Sequence, residues 1–353
     1  MNRSAWRGMS TAVAVVALAL AGVGGLAAPS VAAGQTTIAG AWTAIHAFPD
    51  GVTPMAVTTA ADGRIYLFGT CYGSCKQLHG TVGSGATVTY VYDPATDRWA
   101  KGVGAPAICA GAMAAAPGGD GLIHLGGCWK DLVHDRGVRI ALYDATNATW
   151  SYQPGVGPYF DPTAGMRAAD GAIDWFGDVL QRQGTAVFIV GHRVVVDESG
   201  LWFRGLAVPN TAPSDAVALG QDGRVYAFGG WRNCQPQFGA CPVPPVQAWR
   251  PLTNTWTQVA RLPTPRIRLA AATDRQGRIF TIGGLAGDAS RMFATVQVYV
   301  PGTRTWWKAA PLPAARMAAF ATATSDGRVW ILGGYDTFGM PLRSGYCFTP
   351  APV

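Results

Sequence analysis

Apolar and polar residues take turns along much of this chain. Short alternating runs closed by glycine begin at five places: "GRIYLFGT" from Gly63, "GLIHLGGC" from Gly121, "GRVYAFGG" from Gly223, "GRIFTIGG" from Gly277 and "GRVWILGG" from Gly327. Alternation with a period of two over such a length predicts a strand with one face buried. An Asp or Gln stands before the first glycine of each run. That is a tight-turn signal, so each strand is entered through a hairpin. A second set of runs follows, each passing through a turn to tryptophan: "YVYDPATDRW", "ALYDATNATW", "QAWRPLTNTW", "QVYVPGTRTW" and a degenerate "RVVVDESGLW". These predict a strand, a turn and a last strand that carries the Trp. No stretch shows three turns of amphipathic helix.

The tryptophans keep a period. Trp42, Trp99, Trp150, Trp202, Trp256 and Trp306 are separated by 57, 51, 52, 54 and 50 residues. After Trp42, Trp99, Trp202, Trp256 and Trp306, the next closing glycine comes 27 residues later. After Trp150 the comparable glycine is read as Gly191, a longer interval that implies an insertion, "PGVGPYFDPTAGMR" from Pro154 to Arg167. From that glycine to the following Trp the interval is never the same twice. One half of the repeat is rigid and the other is negotiable. Self-similarity at such a period marks a repeat architecture.

These residues and spacings resemble the kelch repeat, and the resemblance covers nearly all of the chain after residue 33. It implies a unit of four antiparallel strands, with Gly-Gly closing the second strand and Trp in the fourth. Such units stack radially as the blades of a β-propeller, which leaves only short sheet edges. The expected fold is therefore an all-β, six-bladed kelch β-propeller. Its last copy, "GRVWILGGYDTFGMPLRSGYCFTP", holds three strands and no Trp, while Trp42 in "GAWTAIHAFP" has no strands before it. An N-terminal strand is thus expected to join the last blade and close the ring.

Composition narrows the setting. Arg3 and Arg7 precede an uncharged apolar run, and Val31-Ala32-Ala33 has the small-x-small form of a signal-peptidase site. Residues 1–33 are read as a signal peptide and 34–353 as the propeller, secreted to the extracellular space or the cell wall. No other run is long and apolar enough to span a bilayer, so no stable membrane insertion is expected after cleavage. The net charge of +7 is dispersed with no lysine-rich run, which argues against nucleic acid. Only 13% of residues are charged, with 46 Gly and 24 Pro, as suits a turn-rich β protein. Seven cysteines fit an exported chain. The expected disulfides are Cys71–Cys75, Cys109–Cys128 and Cys234–Cys241, with Cys347 free in a strand.

Strand direction decides which face matters. The loops between strands two and three, and between one blade and the next, share a face; the short turns share the other. Length variation falls on the first face, where binding usually sits. After the closing glycines come Trp129, His192, Trp231, Arg232, Tyr335 and Asp336; at the entry to the first strand come Arg167, Arg266, Arg268 and Arg316. The resemblance implies that a pocket is lined from these two places, often by Arg and Tyr. Guanidinium and aromatic groups suit a carbohydrate or a carboxylate-bearing ligand. An Arg before the first strand also recurs in kelch repeats as a brace between blades.

His79, His134 and His192 fall in three such loops, near Asp131 and Asp135, but without short ligand spacing; no metal and no cofactor is expected. His124 takes the aromatic slot held elsewhere by Tyr66, Tyr226, Phe280 and Trp330, which is a packing role. No GxSxG, HExxH or phosphate loop is present. The expected function is recognition of a carbohydrate, a small polar or acidic molecule, or a protein partner. The alternative is an enzyme in the same pocket: an isomerase, lyase, cyclase or galactose-oxidase-like oxidoreductase.

Overall fold

The alternating runs pair into sheets. The computed structural model describes residues 36–71, 86–104, 114–118, 120–131, 135–152, 160–167, 173–183, 186–196, 202–207, 216–233, 240–242 and 244–351, some of them by backbone course alone. The fold is an all-β propeller, with no α-helix among the described residues. Sheets are numbered here in chain order, with strands from the inside out. Sheet 1 comprises Val52–Thr59, Ile65–Cys71, Ala86–Asp93 and Arg98–Lys101. Sheet 2 comprises Ala114–Pro117, Leu122–Asp131, Asp135–Asp144 and Thr149–Tyr152. Sheet 3 comprises Phe160–Arg167, Ile173–Gln183, Ala186–Val196 and Trp202–Ala207. Sheet 4 comprises Ala216–Leu219, Val225–Phe228, Pro245–Arg250 and Thr255–Arg261, and a ribbon of Trp231–Asn233 with Ala240–Pro242 follows its second strand.

Sheet 5 comprises Ala270–Thr273, Ile279–Ile282, Val296–Val300 and Thr305–Ala309, and Thr37–Ile38 adds to its outer edge in parallel. Sheet 6 comprises Phe320–Ala323, Val329–Leu332 and Gly345–Pro350; Gly40–Ile45 pairs antiparallel to the last of these, Trp42 opposite Phe348. The innermost strands neighbour one another in chain order, and that of sheet 6 neighbours that of sheet 1. Their sequences explain the close approach. "AAAP", "AVAL", "AAAT" and "FATA" are mostly small residues, which let backbones converge on an axis.

Packing between sheets is aromatic. In the outer pair of strands Trp99 stands opposite Tyr92, Trp150 opposite Tyr143, Trp256 opposite Trp249 and Trp306 opposite Tyr299. The Trp42–Phe348 pair, with ring centroids 5.2 Å apart, is the same arrangement built from the two ends of the chain. Second-strand aromatics of one sheet then meet these pairs in the next: Phe68 against Trp150 at 5.8 Å, Phe228 against Trp306 at 6.2 Å, Phe280 against Phe348 at 5.5 Å. Sheet 6 meets sheet 1 in the same manner, through Trp330 and Tyr92 at 5.5 Å. Each such pair contributes about 0.5–1.5 kcal/mol beyond its buried area.

The glycine pairs let adjacent sheets touch through backbone. Gly283 has φ +65°, and a Cβ there would lie 2.5 Å from the carbonyl oxygen of Arg316 in the next sheet's entry loop. The neighbouring Gly284 N–H donates to that same oxygen at 2.9 Å. A larger residue at Gly283 would be strained and would force the sheets apart. The hairpin turns on the opposite face are pinned by their aspartates. Tyr66 donates to Asp62 at 2.7 Å, Tyr226 to Asp222 at 2.8 Å, and His124 Nε2 lies 3.2 Å from Asp120. His124 therefore fills the aromatic slot as expected.

Sheet 3 corrects the sequence reading. Its second strand is Ile173–Gln183, so the closing glycine is Gly177, which pairs with His192 in the third strand. Gly177 lies 27 residues after Trp150, the same interval as in every other copy. Gly191 is inside the third strand and ends nothing. The supposed insertion also disappears, because Phe160–Arg167 is the inner strand of the sheet. The error arose locally: "AVFIVGH" alternates and reaches a glycine much as "GRVYAFGG" does. Only the pairing partner tells the two strands apart.

Candidate functional site

On the face where second strands end, the sheets differ in height. In sheets 5 and 6 the second strand stops at Ile282 and Leu332, and the loops 283–295 and 333–344 lead back to the third, bridged to the entry loops at Leu285–Ile267 and Tyr335–Met317. In sheet 3 the second and third strands continue past Gly177 to Gln183 and Ala186, a hairpin rising on the order of 20 Å above the regular sheet. Sheet 2 extends likewise to Asp131 paired with Asp135, and sheet 4 carries its separate ribbon. The described rim is thus built of paired strands over sheets 2, 3 and 4, the tall rim, and of loops folded onto the entry loops over sheets 5 and 6.

The expected site residues separate on this frame. Trp129 pairs with Val138 on the sheet 2 hairpin, and Trp231 and Arg232 pair with Pro242 and Cys241 on the sheet 4 ribbon. All three stand on the tall rim. His192 does not lie in a loop; it is a strand residue at the root of the sheet 3 hairpin, between Gly177 and Ala207. Arg167 is on the other face. It is the last residue of its inner strand, paired with Ile173, the first residue of the second strand. The misplaced insertion had moved it to the wrong end.

Arg266 and Arg316 are not mouth residues either. They are 0% and 1% exposed, and their guanidinium groups are bonded inside their own sheets. Arg266 donates to the carbonyl oxygens of Gly283 at 2.8 Å and Thr295 at 3.1 Å, and to Gln297 Oε1 at 2.5 Å. Arg316 donates to the carbonyls of Gly333 at 3.0 Å and Ser344 at 2.9 Å. Each also faces a ring, Phe293 at 5.2 Å and Tyr346 at 4.7 Å. Burial lowers both pKa values, that of Arg266 to about 10, so Arg266 remains charged at neutral pH. They brace the loops to the sheet tops.

Arg268 is the exposed member of this group. It sits in the entry loop to sheet 5 with φ +54°, a left-handed conformation uncommon for arginine. Its carbonyl accepts the N–H of Ala318 at 2.8 Å, which joins the entry loops of sheets 5 and 6. Met317, beside Ala318, pairs with half-buried Tyr335, so the backbones of Arg268 and Tyr335 both bond to the sheet 6 entry loop. The residues at the place of Arg268 in the other copies are Pro54, Ala112, Pro162, Ser214 and Ala318, none of them charged. Asp336 is a turn residue. Its Oδ1 accepts the N–H groups of Phe338 at 2.9 Å and Met340 at 2.8 Å.

Among the described residues no three His, Cys, Asp or Glu side chains converge; His79 and His134 lie outside those residues. Cys75, Cys109 and Cys234, one member of each expected disulfide, also lie outside them. Cys347 is a free, buried thiol whose pKa burial pushes up to about 11, so it stays protonated and unreactive. Phe338 and Met340 were not anticipated. Their signal was present in the sequence as an apolar turn, "DTFGM", where the preceding copy writes "GDASR".

Comparison with known proteins fits this architecture. A kelch motif model matches residues 212–263. The solved structure of YjhT superposes with a TM-score of 0.60 at 15% identity, covering 84% of this chain and 94% of that one. A fungal alcohol oxidase of the AA5 family, in complex with copper, superposes with a TM-score of 0.58 at 13% identity, covering 88% of this chain and 76% of that one. At such identities the likeness concerns fold. No curated protein matches the chain.

Proposed function

We propose that this all-β propeller, of which residues 212–263 match a kelch motif model, is a secreted kelch-repeat recognition protein that holds a carbohydrate or small carboxylate-bearing ligand at the mouth beside Arg268. The proposal includes six blades closed by Gly40–Ile45, in keeping with the shared Trp–aromatic pairing and the cyclic order of inner strands. It also includes removal of residues 1–33 on export and the three disulfides in the loops of the binding face. The observation that carries the ligand reading is the distinctness of Arg268. It is the one charged residue at that place in six copies, and it is exposed.

A forked guanidinium at a mouth bounded by a tall rim favours a planar anionic group. Buried Arg266 and Arg316, whose hydrogen bonds go to carbonyl, hydroxyl and amide oxygens, add positive potential beneath it. The copper site of the fungal oxidase is a poor fit to the described mouth residues, since Arg268, Ala318 and Tyr335 offer one phenol and no imidazole. No step through a metal is assigned.

Calorimetric titration against uronic acids, dicarboxylates and neutral hexoses tests the reading. Arg268→Ala should weaken binding of the acidic ligand about thirtyfold, or about 2 kcal/mol. Thr96→Ala on the opposite face should leave it unchanged. Preference for neutral hexoses, or full affinity in Arg268→Ala, would remove the mouth from the argument.

A further inference from the structure

In an Asp-Gly pair the carboxyl carbon can be attacked by the backbone nitrogen of the glycine, because no side chain stands in the way and the backbone is free to turn. The pair occurs six times in the chain, and five copies lie among the described residues: Asp50–Gly51, Asp62–Gly63, Asp120–Gly121, Asp222–Gly223 and Asp326–Gly327. All but the first sit in the hairpin turns between the first and second strands of their sheets. There the carboxylates are engaged. Asp62 accepts the Arg64 N–H at 3.0 Å and the Tyr66 hydroxyl at 2.7 Å. Asp222 accepts the Arg224 N–H at 3.2 Å and the Tyr226 hydroxyl at 2.8 Å. Asp326 accepts the Arg328 N–H at 3.1 Å and its Nε–H at 2.6 Å, and Asp120 accepts the Leu122 N–H at 3.0 Å. The attacking nitrogens are held as well. The N–H groups of Gly63, Gly223 and Gly327 donate to the carbonyls of Ala60, Gly220 and Thr324 at 3.0, 3.0 and 2.9 Å.

Asp50–Gly51 is built differently. It lies in the connection between Gly40–Ile45 and the first strand of sheet 1, Val52–Thr59. Among the described residues the Gly51 N–H makes no hydrogen bond, and the Asp50 carboxylate has the Arg343 guanidinium as its partner. The two side chains are 78% and 44% exposed, and a pair so open to solvent restrains its members little. We propose that Asp50–Gly51 is a site of spontaneous isoaspartate formation, the one of the five at which the fold leaves the reaction open.

The chemistry needs only water. The Gly51 nitrogen bonds to Asp50 Cγ, a carboxyl oxygen departs as water with the amide proton, and a succinimide ring closes. Water then opens the ring. Cleavage at Cγ restores aspartate; cleavage at the Asp50 carbonyl carbon leaves isoaspartate, with the main chain routed through the side chain. The water lost in closing is regained in opening, and nothing is oxidised or reduced. The position gives the change a consequence. Arg343 Nε–H donates to the Phe48 carbonyl at 2.9 Å, and the Phe48 N–H donates to the Arg343 carbonyl at 3.3 Å. Asp50 therefore belongs to the tie between the sheet 6 loop and the chain entering sheet 1. A main chain lengthened at Asp50 draws the carboxylate from Arg343 and slackens that tie.

The test is peptide mapping of the mature protein, aged for weeks at physiological temperature and pH. Electron-transfer fragmentation separates isoaspartate from aspartate at each site. Isoaspartate should accumulate at Asp50 about tenfold faster than at Asp62, Asp120, Asp222 or Asp326, since a locked turn must first break its hydrogen bonds. In concentrated urea the rates should converge, because the difference lies in the fold and not in the dipeptide. Asp50→Glu keeps a carboxylate for Arg343 but lacks the side-chain length that closes a succinimide. Its melting temperature should hold on ageing while that of the wild type falls. Absence of isoaspartate at Asp50 in the folded protein, equal rates before urea, or a faster rate at one of the hairpin turns would overturn the proposal. A wild type isomerised at Asp50 with an unchanged melting temperature would overturn the role in the tie.

Discussion

Sheets 3 and 5 share a plan and differ in what their second and third strands do at the top. Sheet 5 ends its second strand at Ile282 and folds the loop 283–295 back against its entry loop, with Arg266 packed beneath it. In sheet 3 Phe160 stands at the place of Arg266, and the strands run on into a long hairpin. A four-stranded sheet in this ring thus tolerates either a braced, low top or an extended one. The lesson is that the top of each sheet is decoupled from its core, where the aromatic pairs repeat. Recognition can vary there without disturbing the ring.

The largest expected effect breaks the low top. The oxygens of Gly283, Thr295 and Gln297 share one charged donor in a buried setting. Arg266→Met should therefore cost about 3 kcal/mol. Urea denaturation measures it, and a loss under about 1 kcal/mol would mean that the brace is dispensable. Next comes the junction of the chain ends. Trp42 packs on Phe348 and donates to the Ala310 carbonyl at 2.7 Å. Trp42→Ala should cost about 3 kcal/mol, close to the effect of Trp99→Ala within a continuous sheet. A much smaller loss at Trp42 would mean that Gly40–Ile45 is an ornament rather than the strand that completes sheet 6.

A smaller effect is set by pH. Asp97 accepts the His46 N–H at 2.8 Å and the Tyr92 hydroxyl at 2.7 Å, and these bonds lower its pKa. A depressed carboxyl pKa contributes stability that is present above the unfolded value of about 3.9 and lost as pH falls through the folded value. Asp97→Asn should therefore flatten the acid limb of the stability profile. It should also keep the backbone at φ +51°, since Asn accepts the left-handed region. An unchanged acid limb would assign that limb to other carboxylates. The smallest effect belongs to the mouth. Arg268→Gly should change stability by no more than about 1 kcal/mol, since glycine relieves the positive φ, while ligand binding falls. A large destabilisation would make Arg268 a structural residue like Arg266.

Much of this was legible without coordinates. The strands, their turns and the Trp period are local, because strand length and turn chemistry repeat in residue counts. Tyr66, His124 and Tyr226 were placed in one slot by spacing, and each is tied to the aspartate four residues before it. The site was only half legible. Arg266, Ile267 and Arg268 are consecutive, yet the first is buried, the third is exposed, and nothing in the letters "RIR" ranks them.

The sequence alone determined the repeat, its period and the aromatic character of each sheet, since these follow from alternation and spacing within a single repeat's length of chain. Tertiary structure decided the rest. Pairing identified Gly177 rather than Gly191 as the end of a strand and moved Arg167 to the opposite face. Packing buried Arg266 and Arg316 under their loops and left Phe338 in solvent. The reason is physical: alternation specifies that a residue lies in a strand, whereas exposure and partner depend on which other strand, far away in sequence, lies beside it.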